Sequence, residues 1–240
     1  MSERFKNQHR LIDQDRLAKT KFIVIGAGAI GSFYVATLAK MGATDVTVYD
    51  DDTIEDHNIS NQLYPITAVG KAKSNAVEDL ALLFGDAPIT GIKGRWTPEN
   101  AQDGDIIVSA VDSMDTRKAI WDHYKTRPNA FFLEGRMGAQ VYRVYGVDLS
   151  SAAAVDLYEK NLYPSSEATP DRCGEKSIIY TVLQVAGQML AQTKRFLNNE
   201  CRPTEVIYDC FRDELMTKHT MEEVVEVIEA PDEPQEALNG

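Results

Sequence analysis

The first regular feature along the chain is an unbroken apolar run, Phe-Ile-Val-Ile at residues 22–25. Four apolar residues without alternation suit a strand covered on both faces. The run leads into Gly26-Ala-Gly28-Ala29-Ile30-Gly31, and then into a helical pattern through Phe33, Val35, Leu38 and Met41 that Gly42 closes. Residues 45–49 (DVTVY) read as a second strand, so 22–50 form a β–α–β unit. Ahead of it, Leu11, Ile12 and Leu17 among charged residues predict a short amphipathic lead-in over 1–20.

Strand and helix patterns go on alternating: a helix over about 70–84, strands at 89–93 and 105–110, a helix over about 114–125 and a strand at 130–133. Such alternation predicts an α/β fold with a Rossmann-like, mostly parallel sheet wound by helices. From Arg136 the texture changes. Residues 139–148 alternate apolar and polar, as antiparallel strands with one half-exposed face do, so the C-terminal part is expected to add antiparallel strands. Residues 150–172, with SSAAA, PSSE and TPD, predict a mobile crossing segment. Residues 177–197 predict a long helix apolar around most of its girth, buried in the core or in a subunit interface, and 205–211 are strand-like. We read one domain over 1–220, with halves at about 20–135 and 136–220, followed by a tail over 221–240.

Composition narrows the partners. The chain has 240 residues and a net charge of −12, which argues against nucleic acid. Residues 222–240 hold seven acidic groups and no Lys or Arg, so without them the charge would be −5. That tail is expected to be solvated. No run of 18 apolar residues occurs, and the N-terminus is too polar for a secretory signal, so we expect a cytoplasmic protein with no membrane association. Cys173, Cys201 and Cys210 contain no Cys-x-x-Cys pair, and the four histidines form no cluster of ligand spacing, so no zinc is expected.

The glycine turn carries the first chemistry. Gly26 permits a tight turn, Gly28 lets a phosphate approach the backbone, and Gly31 lets helix and strand pack closely, while the N–H groups at the helix start, around Ala29 and Ile30, face the phosphate. Asp50 lies 19 residues past Gly31, where an acid accepts hydrogen bonds from ribose hydroxyls. These features specify an adenosine-containing ligand. After Asp50 come Asp52, Asn58, Asn61, Gln62 and Lys73. Their amides and ammonium are donors suited to a triphosphate. Asp112, just past residues 105–110, is a carboxylate that phosphates would repel unless a divalent cation lay between, so it is a candidate Mg²⁺ ligand.

The run GAGAIGS, the Asp50-x-Asp52-Thr-Ile followed by Asn58-x-x-x-Gln62, the Gly70-x-x-Lys73 and the Val111-Asp112-Ser together resemble the ThiF/MoeB family of ubiquitin-activating-type (E1-like) adenylyltransferases, over roughly residues 9–215. The resemblance implies use of ATP and Mg²⁺ to adenylylate the C-terminal carboxylate of a small ubiquitin-like or sulfur-carrier protein, in a homodimer. It places ribose contact on Asp50, phosphate contacts on Asn58, Gln62 and Lys73, Mg²⁺ on Asp112, and the carrier on the half at about 136–220. An arginine finger from the partner subunit falls to Arg10, with Arg4 and Arg16 as alternatives.

Two departures from that pattern stand out. Asn61 occupies the place of a phosphate-binding arginine. The family's zinc-binding Cys-x-x-Cys pairs are absent. Cys173, by contrast, matches a family cysteine that takes over the activated acyl group or a sulfur in some members and is dispensable in others. A thiol beside Arg172 and a helix start is expected to be more acidic than a free cysteine, while Cys201 and Cys210 are read as structural. Two rival readings stay open: an NAD(P)-dependent oxidoreductase built on the same glycine turn, and a non-catalytic subunit of a heterodimer.

Overall fold

The computed structural model describes residues 3–167 and 177–220. In chain order the elements are α1 (Gln14–Lys19), β1 (Lys21–Ile25), α2 (Ala29–Met41), β2 (Asp45–Asp50), α3 (Lys73–Gly85), β3 (Thr90–Lys93), β4 (Ile106–Ser109), α4 (Met114–Tyr124), β5 (Phe131–Gly138), β6 (Val141–Asp148), α5 (Ala152–Glu159), α6 (Ile179–Leu197), β7 (Glu205–Asp209) and β8 (Glu214–Lys218). The strands form one sheet of eight, ordered β3-β2-β1-β4-β5-β6-β7-β8. Pairing is parallel from β3 through β5. It is antiparallel from β5 through β8. This is the expected mixed α/β architecture.

Helices cover both faces. On one side Phe22, Val24, Val46, Val48 and Val108 pack with Tyr34, Leu38, Val77, Val185 and Met189 from α2, α3 and α6. On the other, Ile23, Ile107 and Phe132 pack with Trp121, Tyr124 and Tyr158 from α4 and α5. Strands β1 and β4 are therefore buried on both faces, which is why their sequences are continuous apolar runs. The caps are local: Asp13 accepts from the Arg16 N–H, Ser113 from Thr116 and Ser151 from Ala154. Gly42, at φ +114°, ends α2 in the left-handed conformation that glycine adopts freely.

One expectation needs correction, and two further features emerge. Residues 150–172 are not wholly a crossing segment, because 152–159 form α5. The alanines behave there as helix formers behind a serine cap, and Ala154 and Tyr158, four apart, bury one face. Helix α6 divides between a buried apolar stripe and an outward face that is also partly apolar. It buries the stripe of Val182, Val185, Ala186 and Met189, while Ile179, Tyr180 and Leu183 face outward. Strand β8, which pairs along β7 and is exposed at every residue, was not anticipated. The tail at 221–240 lies outside the described residues. Among the described residues, no helix is long and apolar enough to cross a membrane.

Candidate active site

On either side of β1 the connections run in opposite directions, with β2 and β3 to one side and β4 and β5 to the other. The loops leaving the carboxyl ends diverge at such a point and leave a crevice. A cavity of about 670 Å³ opens there. It is lined by the turn at Gly26, Gly28, Ala29 and Ile30, by Asp50, Asp52 and Asp112, and by Met137 and Ser177.

The glycines have separate duties. Gly26 sits at φ +97°, and a Cβ there would lie 2.7 Å from the Ala110 carbonyl oxygen. A Cβ on Gly31 would lie 2.0 Å from the Gly26 oxygen, so Gly31 lets α2 press onto the turn and does not line the cavity. Around Gly28 nothing lies within 4 Å, which leaves that stretch of backbone open to a ligand.

Asp50 is tied to this turn. Its carboxylate accepts from the Ala27 N–H at 2.7 Å and from the Asp52 N–H at 2.9 Å. Burial pushes the Asp50 carboxyl above the usual aspartate range, against the pull of those two N–H groups and of the Lys73 charge.

The chain between Asp52 and Lys73 makes a closed excursion. Thr53 bridges Ala72, the Gly70 N–H donates to Ile54 at 2.9 Å, and the Lys73 N–H donates to Asp52 at 3.0 Å. The Tyr64 hydroxyl donates to the Ala27 carbonyl at 2.5 Å, and the Leu63 N–H donates to Ser32 Oγ at 3.1 Å, which folds the excursion over the glycine turn. Asn58, Asn61 and Gln62 thereby reach the cavity wall. Asn58 Oδ1 accepts from the Glu55 N–H at 2.9 Å, which orients the amide and leaves its hydrogens available to a ligand. Gln62 Oε1 is buried without a hydrogen-bond partner among the described residues. Asn61 Nδ2 donates to Ser177 Oγ at 2.7 Å.

Lys73 begins α3 with its side chain only 8% exposed, and Nζ donates to Asp52 Oδ2 at 2.7 Å. The carboxylates of Asp50, Asp51 and Asp52 converge, with oxygens within 4.8 Å of one another. Asp50 is already engaged by backbone N–H groups and Asp52 by Lys73. Asp112 differs: it is exposed on the cavity wall, and its side chain has no hydrogen bond or ion pair among the described residues. An unengaged carboxylate beside a cavity of this size fits Mg²⁺, which takes one or two carboxylates together with substrate phosphates.

The structure separates the finger candidates. Arg4 donates to the Gly85 carbonyl and pairs with Asp86, and Arg16 donates to the Leu197 carbonyl and Asn199 Oδ1 while stacking on Phe196. Arg10 is exposed, off the cavity of its own chain, with no side-chain partner among the described residues. Cys173 lies outside the described residues. Cys201 is exposed, and Cys210 is half-buried with Sγ near Gln184 Oε1 at 3.1 Å.

One site feature escaped the sequence reading. Arg117 of α4 lines the cavity while almost fully buried, donating to the Val111 carbonyl, to Glu134 Oε1 at 2.8 Å and to the Gly135 carbonyl at 3.0 Å. Glu134 also accepts from Arg136 and from the Tyr158 hydroxyl. The signal was a glutamate at the end of the apolar run Phe131-Phe-Leu-Glu134, since a carboxylate buried in a strand needs a cationic partner.

Three comparisons place this geometry. The ThiF family model matches residues 4–229. The sulfur carrier protein ThiS adenylyltransferase of Bacillus subtilis is 30% identical over 210 residues, which is 84% of this chain and 61% of that protein. The tRNA threonylcarbamoyladenosine dehydratase of Haemophilus influenzae is 29% identical over 148 residues, 58% of this chain and 57% of that protein. The chain thus spans about three-fifths of the length of these relatives. Among solved structures, E. coli MccB with AMPCPP and the peptide MccA superposes with a TM-score of 0.73 at 16% identity, covering 91% of this chain and 72% of that one. A family match over nearly the whole chain, on a sheet whose switch point carries the glycine turn, Asp50, Lys73 and Asp112, makes this protein a member of the ThiF family.

Proposed function

We propose that this chain is an ATP-dependent adenylyltransferase acting on the C-terminal carboxylate of a small ubiquitin-like or sulfur-carrier protein. The observation that carries the reading is the convergence, in one cavity, of the open Gly28 backbone, the Asp50 carboxylate, the amides of Asn58 and Gln62, the near-buried Lys73 ammonium and the unengaged Asp112. In this reading the N–H groups of Gly28, Ala29 and Ile30 face a phosphate, Asp50 accepts from the ribose, and Asn58, Gln62 and Lys73 donate to phosphate oxygens. A carboxylate oxygen attacks the α-phosphorus, the bond to the bridging oxygen breaks, and pyrophosphate leaves, giving the acyl-adenylate. Mg²⁺ held by Asp112 would neutralise phosphate charge. Positioning and electrostatic stabilisation account for the rate, so no protein nucleophile is needed in this step.

The same reading makes the protein a homodimer in which Arg10 of one copy serves the other's cavity, with the antiparallel half receiving the carrier. Cys173 is the thiol available to take over the acyl group afterwards, and the setting is cytoplasmic. The H. influenzae relative is named for a tRNA nucleoside, but a net charge of −12 disfavours a polyanionic substrate here. Calorimetric titration of the protein with Mg·ATP and, separately, with NAD⁺ tests the ligand class. Binding of ATP alone supports the proposal, and binding of NAD⁺ alone would replace it with the oxidoreductase reading.

A further inference from the structure

Ser177 belongs to no motif read from the sequence, yet it lines the cavity. Its place is fixed from two directions. The backbone at Ser177 bridges Ala139, in the turn between β5 and β6, and one turn of chain later the Tyr180 hydroxyl donates to Gln140 Oε1 in that same turn. From the excursion over the glycine turn, Asn61 Nδ2 donates to Ser177 Oγ at 2.7 Å, joining residues 116 positions apart.

The direction of that bond decides what the serine does. A hydroxyl has one proton to donate and two lone pairs to accept with. With Asn61 as donor, Ser177 Oγ is an acceptor, and its own proton has no acceptor among the described residues. A hydroxyl so placed seeks a group that accepts and does not donate, and an ionised phosphate oxygen is such a group. On the cavity wall Lys73 pairs with Asp52 and Arg117 with Glu134, and the exposed Arg95 has no side-chain partner among the described residues, so the serine would donate beside these cations. The amide hydrogens of Asn58 point to the same ligand.

We propose that Ser177 is a phosphate-binding donor of the nucleotide site and that Asn61 acts through it, as the positioning residue that turns its hydroxyl proton toward the phosphates. The inference rests on the reading of the cavity as an ATP site.

Affinities measured by displacement of a fluorescent ATP analogue test it, with ATP and with adenosine as competitors. A hydrogen bond to a charged acceptor accounts for roughly tenfold or more in affinity. Ser177→Ala is expected to weaken ATP about tenfold or more and leave adenosine unchanged, while Ser177→Thr, which keeps the hydroxyl, stays near the parent protein. Asn61→Ala is expected to weaken ATP, and Asn61→Ala combined with Ser177→Ala to be no worse than Ser177→Ala alone. Unchanged ATP affinity in Ser177→Ala overturns the proposal, as does an equal loss for adenosine. A Ser177→Ala effect confined to the apparent affinity for the carrier would reassign the hydroxyl to the substrate carboxylate and also overturns it. Additive losses in the double variant overturn the role given to Asn61. Failure of the parent protein to bind ATP at all would instead remove the underlying reading, so the two failures are distinguishable.

Discussion

Lys73 Nζ sits 2.7 Å from Asp52 Oδ2 in an unequal pair, the lysine side chain 8% exposed and the aspartate 66%. The ammonium is held in place by packing, and its partner is mostly solvated. A solvent-exposed carboxylate loses little when its cation turns to a ligand phosphate, so the pair keeps Lys73 extended and charged between turnovers. Lys73→Ala is therefore expected to leave the melting temperature close to that of the parent, because Asp52 returns to water, while ATP–pyrophosphate exchange falls about 100-fold or more. Exchange rates and thermal melts of the same preparation check both halves. A large drop in melting temperature would make Lys73 a structural residue instead.

The glycine turn separates folding from binding. Gly31→Ala places a Cβ 2.0 Å from a backbone oxygen, so α2 must move, and a clear loss of stability is expected, on the order of 1–3 kcal/mol. Gly28→Ala meets nothing within 4 Å, so the fold is expected to change far less than in Gly31→Ala while nucleotide affinity drops. Denaturant melts and nucleotide titrations on the two variants should show these opposite profiles.

Asp50 sets an acid limb. Burial raises its pKa above the ordinary value of 3.8. The folded state then holds this proton more tightly than the unfolded chain, so the group favours folding below its folded pKa, and its penalty is fully present above it. Ribose binding needs the carboxylate. Nucleotide affinity should therefore decline as pH falls through the folded pKa, starting at a higher pH than an ordinary aspartate would give. Asp50→Asn should bind more weakly and lose that limb, which titrations across the acid range can measure.

Glu134 is fully buried and compensates two guanidinium groups, Arg117 and Arg136. Glu134→Ala leaves them facing each other without a counter-charge, a cost of about 3–5 kcal/mol. A fall in melting temperature of roughly 10 °C is expected for a chain of this size. Arg117 also donates to the Val111 carbonyl, beside Asp112, so the same variant should need more Mg²⁺ for half-maximal nucleotide binding. An unchanged melt would show that the cluster is not holding the sheet to α4.

What was legible in the sequence was local. The strand, glycine turn and helix at residues 22–41 declare themselves because each decision is made within a few residues: apolar run, permissive turn, 3.6-residue spacing. Asp50, Lys73 and Asp112 were read as candidates because strand ends and helix starts at the carboxyl edge of a parallel sheet are where ligands bind, and all three line the cavity. What escaped depends on distant partners. The helix α5 was hidden because an alanine run reads as low complexity until Tyr158 has a core to enter. Strand β8 has no buried face to impose a pattern and exists by pairing with β7. The Asn61–Ser177 bond joins residues 116 positions apart, and nothing local to either marks it.

The central claim is that this cavity activates a carboxylate with ATP, and carrier-dependent ATP–pyrophosphate exchange tests it most directly. With Mg²⁺, ATP and a panel of small proteins ending in glycine, label from pyrophosphate should enter ATP for at least one of them, and Lys73→Ala and Asp112→Ala should abolish most of that exchange. Exchange that proceeds unchanged in both variants would contradict the site assigned here. Its absence across the panel, in a protein that binds NAD⁺ and not ATP, would contradict the function.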